Sequence, residues 1–212
     1  MNYLTKELVF PPVSEANKDG FLAIGGDLSP ERLLLAYKSG IFPWFEPGDP
    51  ILWWSPNPRM VLFLDEVVVS KSMRNVLNRN IFNVTFNQNF REVISNCQKI
   101  KRNGQKGTWI TNDMIEAYCK LNEKGIAKSV EVWQNDELVG GLYGIDLGHV
   151  FCGESMFSKV SNASKVAFIV LVNQLKKDNY KVLDCQVYNP HLESLGCREI
   201  DRTDFMEILK SK

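Results

Sequence analysis

A carboxylate and an amide lie two residues apart in the mostly apolar segment 182–188, where Asp184 precedes Gln186. Successive side chains of a strand point to opposite faces, so this spacing predicts that both polar groups share one face of a strand. A carboxylate and an amide held side by side can orient an attacking amine. The alternative is a solvated or ion-paired aspartate on an edge strand, and the segment alone leaves both interpretations open.

A second carboxylate, Glu154, lies at the end of a predicted strand among the apolar residues of segment 151–157. A carboxylate in such surroundings needs a partner, because burying an unpaired charge is costly. That partner is either a basic side chain of the protein, in a salt bridge that locks the loop, or a cationic group of a ligand.

Aromatic rings and prolines are concentrated in residues 41–56, which hold three of the five tryptophans and four of the nine prolines. Proline fixes its own φ and pushes the preceding residue toward extended conformations, which predicts a stiff, irregular ribbon without helical or strand periodicity. Rigid rings of this kind either stack on a flat ligand such as a nucleobase or anchor one domain on another. Composition favours anchoring, because clustered aromatic residues more often pack than bind.

Length and composition narrow the class of protein. A chain of 212 residues can form one large domain, or a large and a small one. A formal net charge of zero argues against a protein that coats nucleic acid non-specifically. Only local basic patches then remain for contact with an RNA partner. The N-terminus lacks an apolar core of signal-peptide length. Five cysteines without a Cys-x-x-Cys pair indicate neither a disulfide framework nor a metal site, and favour a reducing cytoplasm.

The periodicities predict a small N-terminal domain, 1–59, and a larger domain, 60–212. The first contains a helix that begins after Ser29 and ends at Gly40. The elements predicted for the second are a strand at 81–86, a helix carrying Phe90 to Cys97, a helix after Thr111, three strands within 129–157, an apolar helix at 163–176, a strand at 180–188 and a last helix near 203–209. This order predicts an α/β (α+β) fold in which a sheet is flanked by helices.

Three separated motifs point to one family. They are Gly25-Gly26-Asp27-Leu28-Ser29-Pro30, Gly153-Glu154-Ser155-Met156-Phe157 and Asp184-Cys185-Gln186-Val187. With the aromatic ribbon they resemble the bacterial leucyl/phenylalanyl-tRNA–protein transferases, over about residues 21 to 204. The resemblance implies a cytoplasmic enzyme without a cofactor. It would transfer Leu or Phe from leucyl-tRNA or phenylalanyl-tRNA to proteins with N-terminal Arg or Lys, marking them for N-degron degradation.

The resemblance also implies the mixed sheet of the acyl-CoA N-acetyltransferases, preceded by a small N-terminal domain. Acetyltransferases bind the pyrophosphate of coenzyme A with a glycine-rich turn ahead of a long helix. The corresponding turn here, 158–163, contains no glycine. Coenzyme A is therefore not expected as the donor.

Catalytic roles follow from the same resemblance. Asp184 and Gln186 match the family's pair that engages the α-amino group of the acceptor. Glu154 is implied to contact either the acceptor's cationic first residue or the amine of the aminoacyl ester, and the sequence does not choose between them. Because the ester is already activated, positioning the amine and easing its proton away are most of the catalysis required.

Binding of the donor is assigned to three groups of residues. The candidates for the leucyl or phenylalanyl side chain are Leu142, Phe151, Met156, Phe168 and Leu183, for each of which core packing is the alternative. Leu142 stands where the family carries Met, and an adaptable residue such as Met156 suits a pocket for two side-chain shapes. The residues matched to the terminal adenosine are Trp44 and Trp109, with Tyr37 and Tyr118 beside them.

Contacts with tRNA phosphates are implied for Lys71, Arg74 and Arg79, which match a basic cluster of the family. A second basic run, Lys99, Lys101, Arg102 and Lys106, is either a further contact or a solvated helix end.

Two other functions remain as alternatives, a non-catalytic RNA-binding module and a coenzyme-A-dependent N-acetyltransferase. Cys185 with His191 also forms a conceivable cysteine hydrolase pair, although no third orienting group is evident.

Overall fold

The computed structural model describes residues 1–100 and 108–211. Three members of the second basic run, Lys101, Arg102 and Lys106, lie outside the described residues.

Strands and helices alternate along most of the described chain. The strands are β1 (Asn2–Leu4), β2 (Phe21–Gly25), β3 (Phe42–Pro43), β4 (Leu52–Trp54), β5 (Arg59–Phe63), β6 (Asn83–Phe86), β7 (Ala127–Gln134), β8 (Glu137–Asp146), β9 (Val150–Ser158), β10 (Val182–Gln186) and β11 (Arg198–Ile200). The helices are α1 (Pro30–Lys38), α2 (Lys71–Asn78), α3 (Phe90–Lys99), α4 (Asn112–Glu123), α5 (Ala163–Lys177), α6 (Pro190–Glu193) and α7 (Arg202–Lys210).

A four-stranded sheet, in the order β1-β2-β4-β3, contains the aromatic ribbon. The prediction that the ribbon lacks strand structure is wrong at both of its ends, because Phe42 pairs with Trp54 and Pro43 pairs with Trp53. Trp53 is fully buried, and its indole N–H donates to the Gly25 carbonyl at 2.8 Å. The ribbon is therefore folded back on itself and fixed to β2.

A seven-stranded sheet, in the order β11-β5-β10-β9-β8-β7-β6, forms the larger part of the chain. It is mixed, because β9 and β10 are parallel whereas the other neighbours are antiparallel. Side chains of α3 and α4 pack in one hydrophobic cluster, and those of α5 pack in the other. The predicted sheet with flanking helices is thus confirmed.

The approach of α5 to the sheet depends on a glycine in β8. A Cβ atom added at Gly140 would lie 2.5 Å from the Cβ of Ala163, the first residue of α5. Such a contact is far inside van der Waals distance, so only glycine allows the helix to lie this close to the sheet.

The parallel strands β9 and β10 separate before either one ends. Their last paired residues are Cys152 and Asp184, although β9 continues to Ser158. Beyond this point the two strands no longer pair through their backbones, and an opening forms between them. Glu154 on β9 and Gln186 on β10 face each other at this opening.

None of the helices formed by the described residues is long and apolar enough to cross a membrane.

Candidate active site

A cavity of about 360 Å³ lies where β9 and β10 separate. Its walls come from four parts of the chain: the aromatic ribbon, the segment before α4, the strands β8 to β10 with α5, and the segment after β10. The lining residues are Phe42, Pro43, Trp44, Trp109, Leu142, Tyr143, Gly153, Glu154, Ser155, Met156, Phe168, Leu171, Leu183, Cys185, Gln186, Val187, Asn189, His191 and Leu192.

Most of the residues predicted for the site are brought together here. Those that line the cavity are Glu154, Gln186, Trp44, Trp109, Leu142, Met156, Phe168 and Leu183. Phe151 does not reach the cavity; it is buried among the side chains that pack against α5. It can support the apolar wall but does not form its surface.

Asp184 also lies behind the cavity wall. Its side chain is fully buried, and its two carboxylate oxygens accept hydrogen bonds from Arg59 Nε at 2.9 Å and Arg59 Nη2 at 2.8 Å. Asp184 is therefore the ion-paired aspartate of the alternative interpretation, although it lies in an interior strand of the sheet rather than at its edge.

The expectation that Asp184 and Gln186 share one strand face is wrong. The register of β10 against β5 shifts between these two residues, and Gln186 has a left-handed φ of 65°. A β-bulge of this kind breaks the alternation of side chains, so Cys185 and Gln186 both line the cavity while Asp184 points away from it.

Glu154 lies at the centre of a hydrogen-bond network on the cavity wall. Its Oε1 accepts from Gln186 Nε2 at 2.7 Å, and its Oε2 accepts from the Tyr118 hydroxyl at 3.1 Å. Burial raises the pKa of Glu154 from 4.5 to about 7, while hydrogen bonds from Tyr37, Tyr118 and Gln186 oppose that rise. A carboxyl group with this pKa changes protonation near neutral pH, as a general base requires.

Tyr37 and Tyr118 lie beneath the cavity, at 1% and 0% exposure, and do not line it. The resemblance implied a place beside Trp44 and Trp109, whereas in the structure both rings are covered by the cavity wall. The two hydroxyl groups form a hydrogen bond with each other, and that of Tyr118 continues to Glu154. Burial raises the pKa of both phenols well above 10, which keeps their protons in place as donors.

Two tryptophans provide flat surfaces at the cavity. Trp44 remains 41% exposed and its ring is tilted by 57° against that of Trp54, whose indole N–H donates to the Trp44 carbonyl at 2.7 Å. Trp109 lines the cavity from the segment before α4. Because Trp54 fixes the backbone of Trp44, the exposed ring is held in place without being covered.

The predicted phosphate contacts lie outside the cavity. Lys71 and Arg74 are exposed on α2, and Arg79 follows its last residue. Lys71 and Arg74 are three residues apart and so lie on neighbouring positions of the helix surface. Arg74 donates to the Val69 carbonyl at 3.1 Å, which ties its guanidinium to the start of the helix.

Sequence reasoning missed the part of the wall that follows β10, which includes Val187, Asn189, His191 and Leu192. Val187 is part of the motif at 184–187 and His191 was considered as a partner of Cys185, but neither was assigned to the cavity, which they line because the bulge turns the chain. The signal that could have located this segment is Asn189, because asparagine favours the residue before a helix. Its side chain does cap α6, accepting hydrogen bonds from two backbone N–H groups.

The arrangement around Cys185 differs from that of a cysteine hydrolase. The Cys185 thiol contacts the Leu183 carbonyl and the sulfur of Cys197, whose Sγ lies 3.6 Å away. The hydrogen bond with Cys197 and burial hold the pKa of Cys185 well above its usual value, which makes it a poor nucleophile. No group of three or more His, Cys, Asp or Glu side chains among residues 1–100 and 108–211 is arranged to hold a metal ion.

Backbone amides in and around the turn before α5 are hydrogen-bonded within the protein. The backbone N–H groups of Lys159, Ala163 and Ser164 donate to Val139 O, Val160 O and Ser158 Oγ. Two amides at the start of α5, those of Ala163 and Ser164, are thus already engaged, as is that of Lys159 four residues earlier.

Comparison with known proteins gives a consistent result. The family model described as leucyl/phenylalanyl-tRNA protein transferase matches residues 61–210, and the model of that family's N-terminal domain matches residues 26–57. Curated relatives named leucyl/phenylalanyl-tRNA–protein transferase include one from Flavobacterium johnsoniae, 77% identical over 100% of both chains. Another, from Christiangramia forsetii, is 56% identical over 99% of this chain and 100% of its own.

Among solved structures, a GCN5-related N-acetyltransferase from Kribbella flavida aligns with a TM-score of 0.42 at 6% identity, over 78% of this chain and 59% of its own. A ribosomal-protein-alanine N-acetyltransferase from Brucella melitensis aligns with a TM-score of 0.38 at 14% identity, over 54% of this chain and 86% of its own.

Proposed function

The chain belongs to the leucyl/phenylalanyl-tRNA–protein transferase family, and we propose that its cavity transfers Leu or Phe from a charged tRNA to the α-amino group of proteins with N-terminal Arg or Lys. The modified proteins are thereby marked for N-degron degradation. The observation that carries the proposal is the Glu154–Gln186 pair, at 2.7 Å, at the edge of a largely apolar cavity.

We assign the transfer step to this pair. The acceptor amine attacks the ester carbonyl, a C–N bond forms, and the C–O bond to the ribose breaks with return of a proton to the ribose oxygen. Glu154 accepts the proton of the amine, and the Gln186 amide orients both the amine and Glu154. Asp184 contributes from behind the wall, because its Oδ1 accepts the backbone N–H of Gln186 at 2.9 Å.

The donor's side chain is assigned to the apolar wall formed by Leu142, Met156, Phe168 and Leu183, with Phe151 packed behind it. A thioether among branched and aromatic groups can adapt to either a leucyl or a phenylalanyl side chain. Tyr37 and Tyr118 then act on the donor only indirectly, by holding Glu154 in place.

The terminal adenosine is assigned to the rings of Trp44 and Trp109, and the phosphates of the acceptor stem to Lys71, Arg74 and Arg79. Stacking on an aromatic ring does not depend on base identity, and basic side chains bind phosphate without reading sequence. No cofactor is part of this mechanism.

We further propose that the chain divides into a small N-terminal domain, 1–59, and a catalytic domain, 60–212, and that it acts in the cytoplasm. The four-stranded sheet ends at Trp54 and the seven-stranded sheet begins at Arg59, which supports a division here, although Arg59 itself belongs to β5 and so to the second sheet. The cavity lies between them, since Phe42, Pro43 and Trp44 contribute one of its walls.

Two alternatives are less well supported. A coenzyme-A-dependent acetyltransferase needs free backbone amides at the start of α5, where the amides of Ala163 and Ser164 are already bonded. A non-catalytic RNA-binding module gives no reason for a carboxylate whose pKa is raised to about 7 next to an amide inside a cavity.

The proposed function is tested with labelled leucyl-tRNA and three peptides that differ only in their first residue, Arg, Lys or Ala. We expect label on the Arg and Lys peptides and little on the Ala peptide. Glu154 is the acidic residue among the described lining residues, and a cationic side chain next to the amine strengthens attraction to it. Equal labelling of all three peptides contradicts the proposed acceptor, and absence of labelling with all three contradicts transfer.

A second prediction separates the two modes of donor binding. Trp44→Ala should raise the donor KM at every salt concentration. The reason is that the variant loses the ~1 to 3 kcal/mol of binding free energy that stacking of one base contributes. Arg74→Ala should raise KM at low salt and lose its effect at high salt, because it acts through phosphate. The measurement is the KM of phenylalanyl-tRNA at two ionic strengths.

A minimal donor, phenylalanyl-adenosine, lacks the acceptor stem and provides the control. It should respond to Trp44→Ala and not to Arg74→Ala. Tyr3→Ala, at an aromatic residue 72% exposed on β1, should change neither donor's KM. If phenylalanyl-adenosine does not respond to Trp44→Ala in a folded variant, the ring has no role in stacking.

A further inference from the structure

A buried guanidinium connects strand β10, which carries Gln186, with the aromatic ribbon. Arg59, at the start of β5, is 1% exposed, and its Nε and Nη2 bind both carboxylate oxygens of Asp184. Its Nη1 donates to the Gly40 carbonyl at 3.2 Å. The guanidinium carbon lies 4.9 Å from the ring centre of Phe42 and 4.7 Å from that of Phe205, so the group is in contact with aromatic rings as well as with its acceptors.

On one side, this guanidinium fixes the backbone that presents Gln186. Asp184 Oδ1 accepts from Arg59 and also from the backbone N–H of Gln186 at 2.9 Å. Gln186 has φ of 65°, a left-handed conformation that is unfavourable for a residue with a Cβ and persists only where surrounding contacts hold it. The Arg59–Asp184 pair supplies such contacts.

The held conformation aims the Gln186 side chain at Glu154. Gln186 Nε2 donates to Glu154 Oε1 at 2.7 Å, so a hydrogen-bonded path runs from Arg59 through Asp184 and Gln186 to Glu154. On the other side, the guanidinium stacks on Phe42, which lines the cavity next to Pro43 and Trp44.

We infer that Arg59 is a positioning residue for aminoacyl transfer: through Asp184 it holds the bulge that places Gln186 against Glu154. The inference rests on the proposed function of the cavity. Arg59 itself does not line the cavity and touches no substrate in this assignment.

Positioning can be separated from stability, because the two depend differently on the ion pair. Removing one partner leaves a buried charge uncompensated and destabilises the fold, whereas replacing both partners by apolar side chains of similar volume is often neutral for stability. An apolar pair, however, cannot accept the Gln186 N–H. If Arg59 only stabilises the fold, then activity should return when stability returns.

The experiment compares Arg59→Met, Asp184→Leu and the double variant Arg59→Met/Asp184→Leu by urea unfolding and by steady-state transfer. We expect both single variants to be destabilised and the double variant to regain much of the stability. All three should have kcat reduced ~10²-fold per folded molecule, the size of loss that a 1 Å misplacement can cause. The donor KM should change less than kcat.

A control pair of similar geometry joins β11 to the segment that follows β5. Arg198 on β11 binds both carboxylate oxygens of Glu66, at 2.8 and 3.3 Å, and its guanidinium carbon lies 4.5 Å from the ring centre of Phe63. Both side chains are exposed and neither lines the cavity. Arg198→Met should leave kcat and KM unchanged, although it removes a similar set of contacts.

A second measurement does not depend on transfer. The carboxyl ¹³C resonance of Glu154, identified by its absence in Glu154→Gln, reports the protonation of that group. The informative comparison is the double variant, which removes both the Arg59 and the Asp184 charge. Loss of the Gln186 hydrogen bond should raise the pKa of Glu154 in that variant, since the bond stabilises the charged form and outweighs the smaller repulsion from Asp184 that is lost with it.

The outcomes are distinguishable. If the double variant regains stability and kcat together and its Glu154 titrates as in the unmodified chain, Arg59 is structural only and the inference is overturned. If the unmodified chain transfers no amino acid, the proposed function fails, and the ¹³C titration still decides whether Arg59 positions Gln186 against Glu154.

Discussion

Replacing Glu154 by glutamine is expected to lower kcat for transfer to an Arg peptide by ~10² to 10⁴-fold, the range typical of losing a general base. Glutamine keeps the shape of the side chain but cannot accept the proton of the attacking amine. Its amide also presents a donor to Gln186 Nε2 or Tyr118, both of which now donate to the carboxylate. Single-turnover transfer from labelled leucyl-tRNA at saturating peptide measures the step directly.

The pH dependence of kcat/KM provides a second test of Glu154 as the general base. With the pKa of Glu154 raised to about 7 by burial, kcat/KM of the unmodified chain should rise with pH through that region as the carboxyl group loses its proton. The α-amino group of the peptide also titrates, near ~7.7 to 8, so the observed rise combines two ionisations. In Glu154→Gln only the ionisation of the peptide should remain.

Stability should change in the opposite direction from activity. The pKa of Glu154 is raised from 4.5 to about 7, so its contribution to stability is full below about 4.5 and is lost as pH rises through about 7. A pKa difference of this size corresponds to at most ~3 kcal/mol. We therefore expect the urea midpoint of the unmodified chain to fall between pH 5 and pH 8 by more than that of Glu154→Gln, in which this ionisation is absent.

The control for this variant is Glu137→Gln, at an exposed carboxylate on β8 away from the cavity. It should alter neither the rate of transfer nor its pH dependence. If Glu154→Gln keeps the rate and the pH profile of the unmodified chain, then Glu154 is not the base, and the carboxylate serves only to bind the acceptor.

The sequence predicts most reliably those elements whose periodicity is long and uninterrupted. The apolar run at 163–176 became α5, which extends one residue further. The first two strands predicted within 129–157 became β7 and β8, which the turn Asn135-Asp136 joins. Both residues of that turn have positive φ, at 51° and 61°, as short hairpin turns of this type require. Local sequence is enough here because the deciding interactions are local.

Features that depend on distant partners were not predictable in the same way. The three-residue strands β1 and β11 are too short for a periodic pattern and exist because β2 and β5 pair with them. Tyr37 and Tyr118 are 81 residues apart, and nothing in either neighbourhood indicates that their hydroxyl groups meet beneath Glu154.

The bulge in β10 shows why the orientation of side chains on this strand was mispredicted. Strict alternation would place Asp184 and Gln186 on one face. The alternation fails because Asp184 pairs with Arg59, 125 residues away in the sequence, and because its carboxylate binds the backbone of the residue that the rule would align with it. Most of the side chains that meet at the cavity were named from the sequence, whereas the orientation of Asp184 was not predictable from it.

Because Asp184 is buried against Arg59, replacing it should strongly affect both turnover and stability. Asp184→Asn is expected to lower kcat by ~10²-fold or more and also to lower the free energy of unfolding by ~3 to 5 kcal/mol. Asparagine offers one oxygen where Arg59 now binds two, and it leaves the guanidinium buried without a counter-charge. Equilibrium unfolding in urea gives the stability, and transfer rates normalised to the folded fraction give kcat.

Donor affinity separates this explanation from direct contact between Asp184 and the substrate. Because Asp184 lies behind the wall, the Kd of phenylalanyl-adenosine should change little in the folded variant. Glu66→Gln, at the exposed pair with Arg198, is the matched control and should cost less than ~1 kcal/mol. If Asp184→Asn lost turnover while its stability stayed that of the unmodified chain, Asp184 would contact the acceptor amine itself, and the path through Arg59 and Gln186 would not be the route by which it acts.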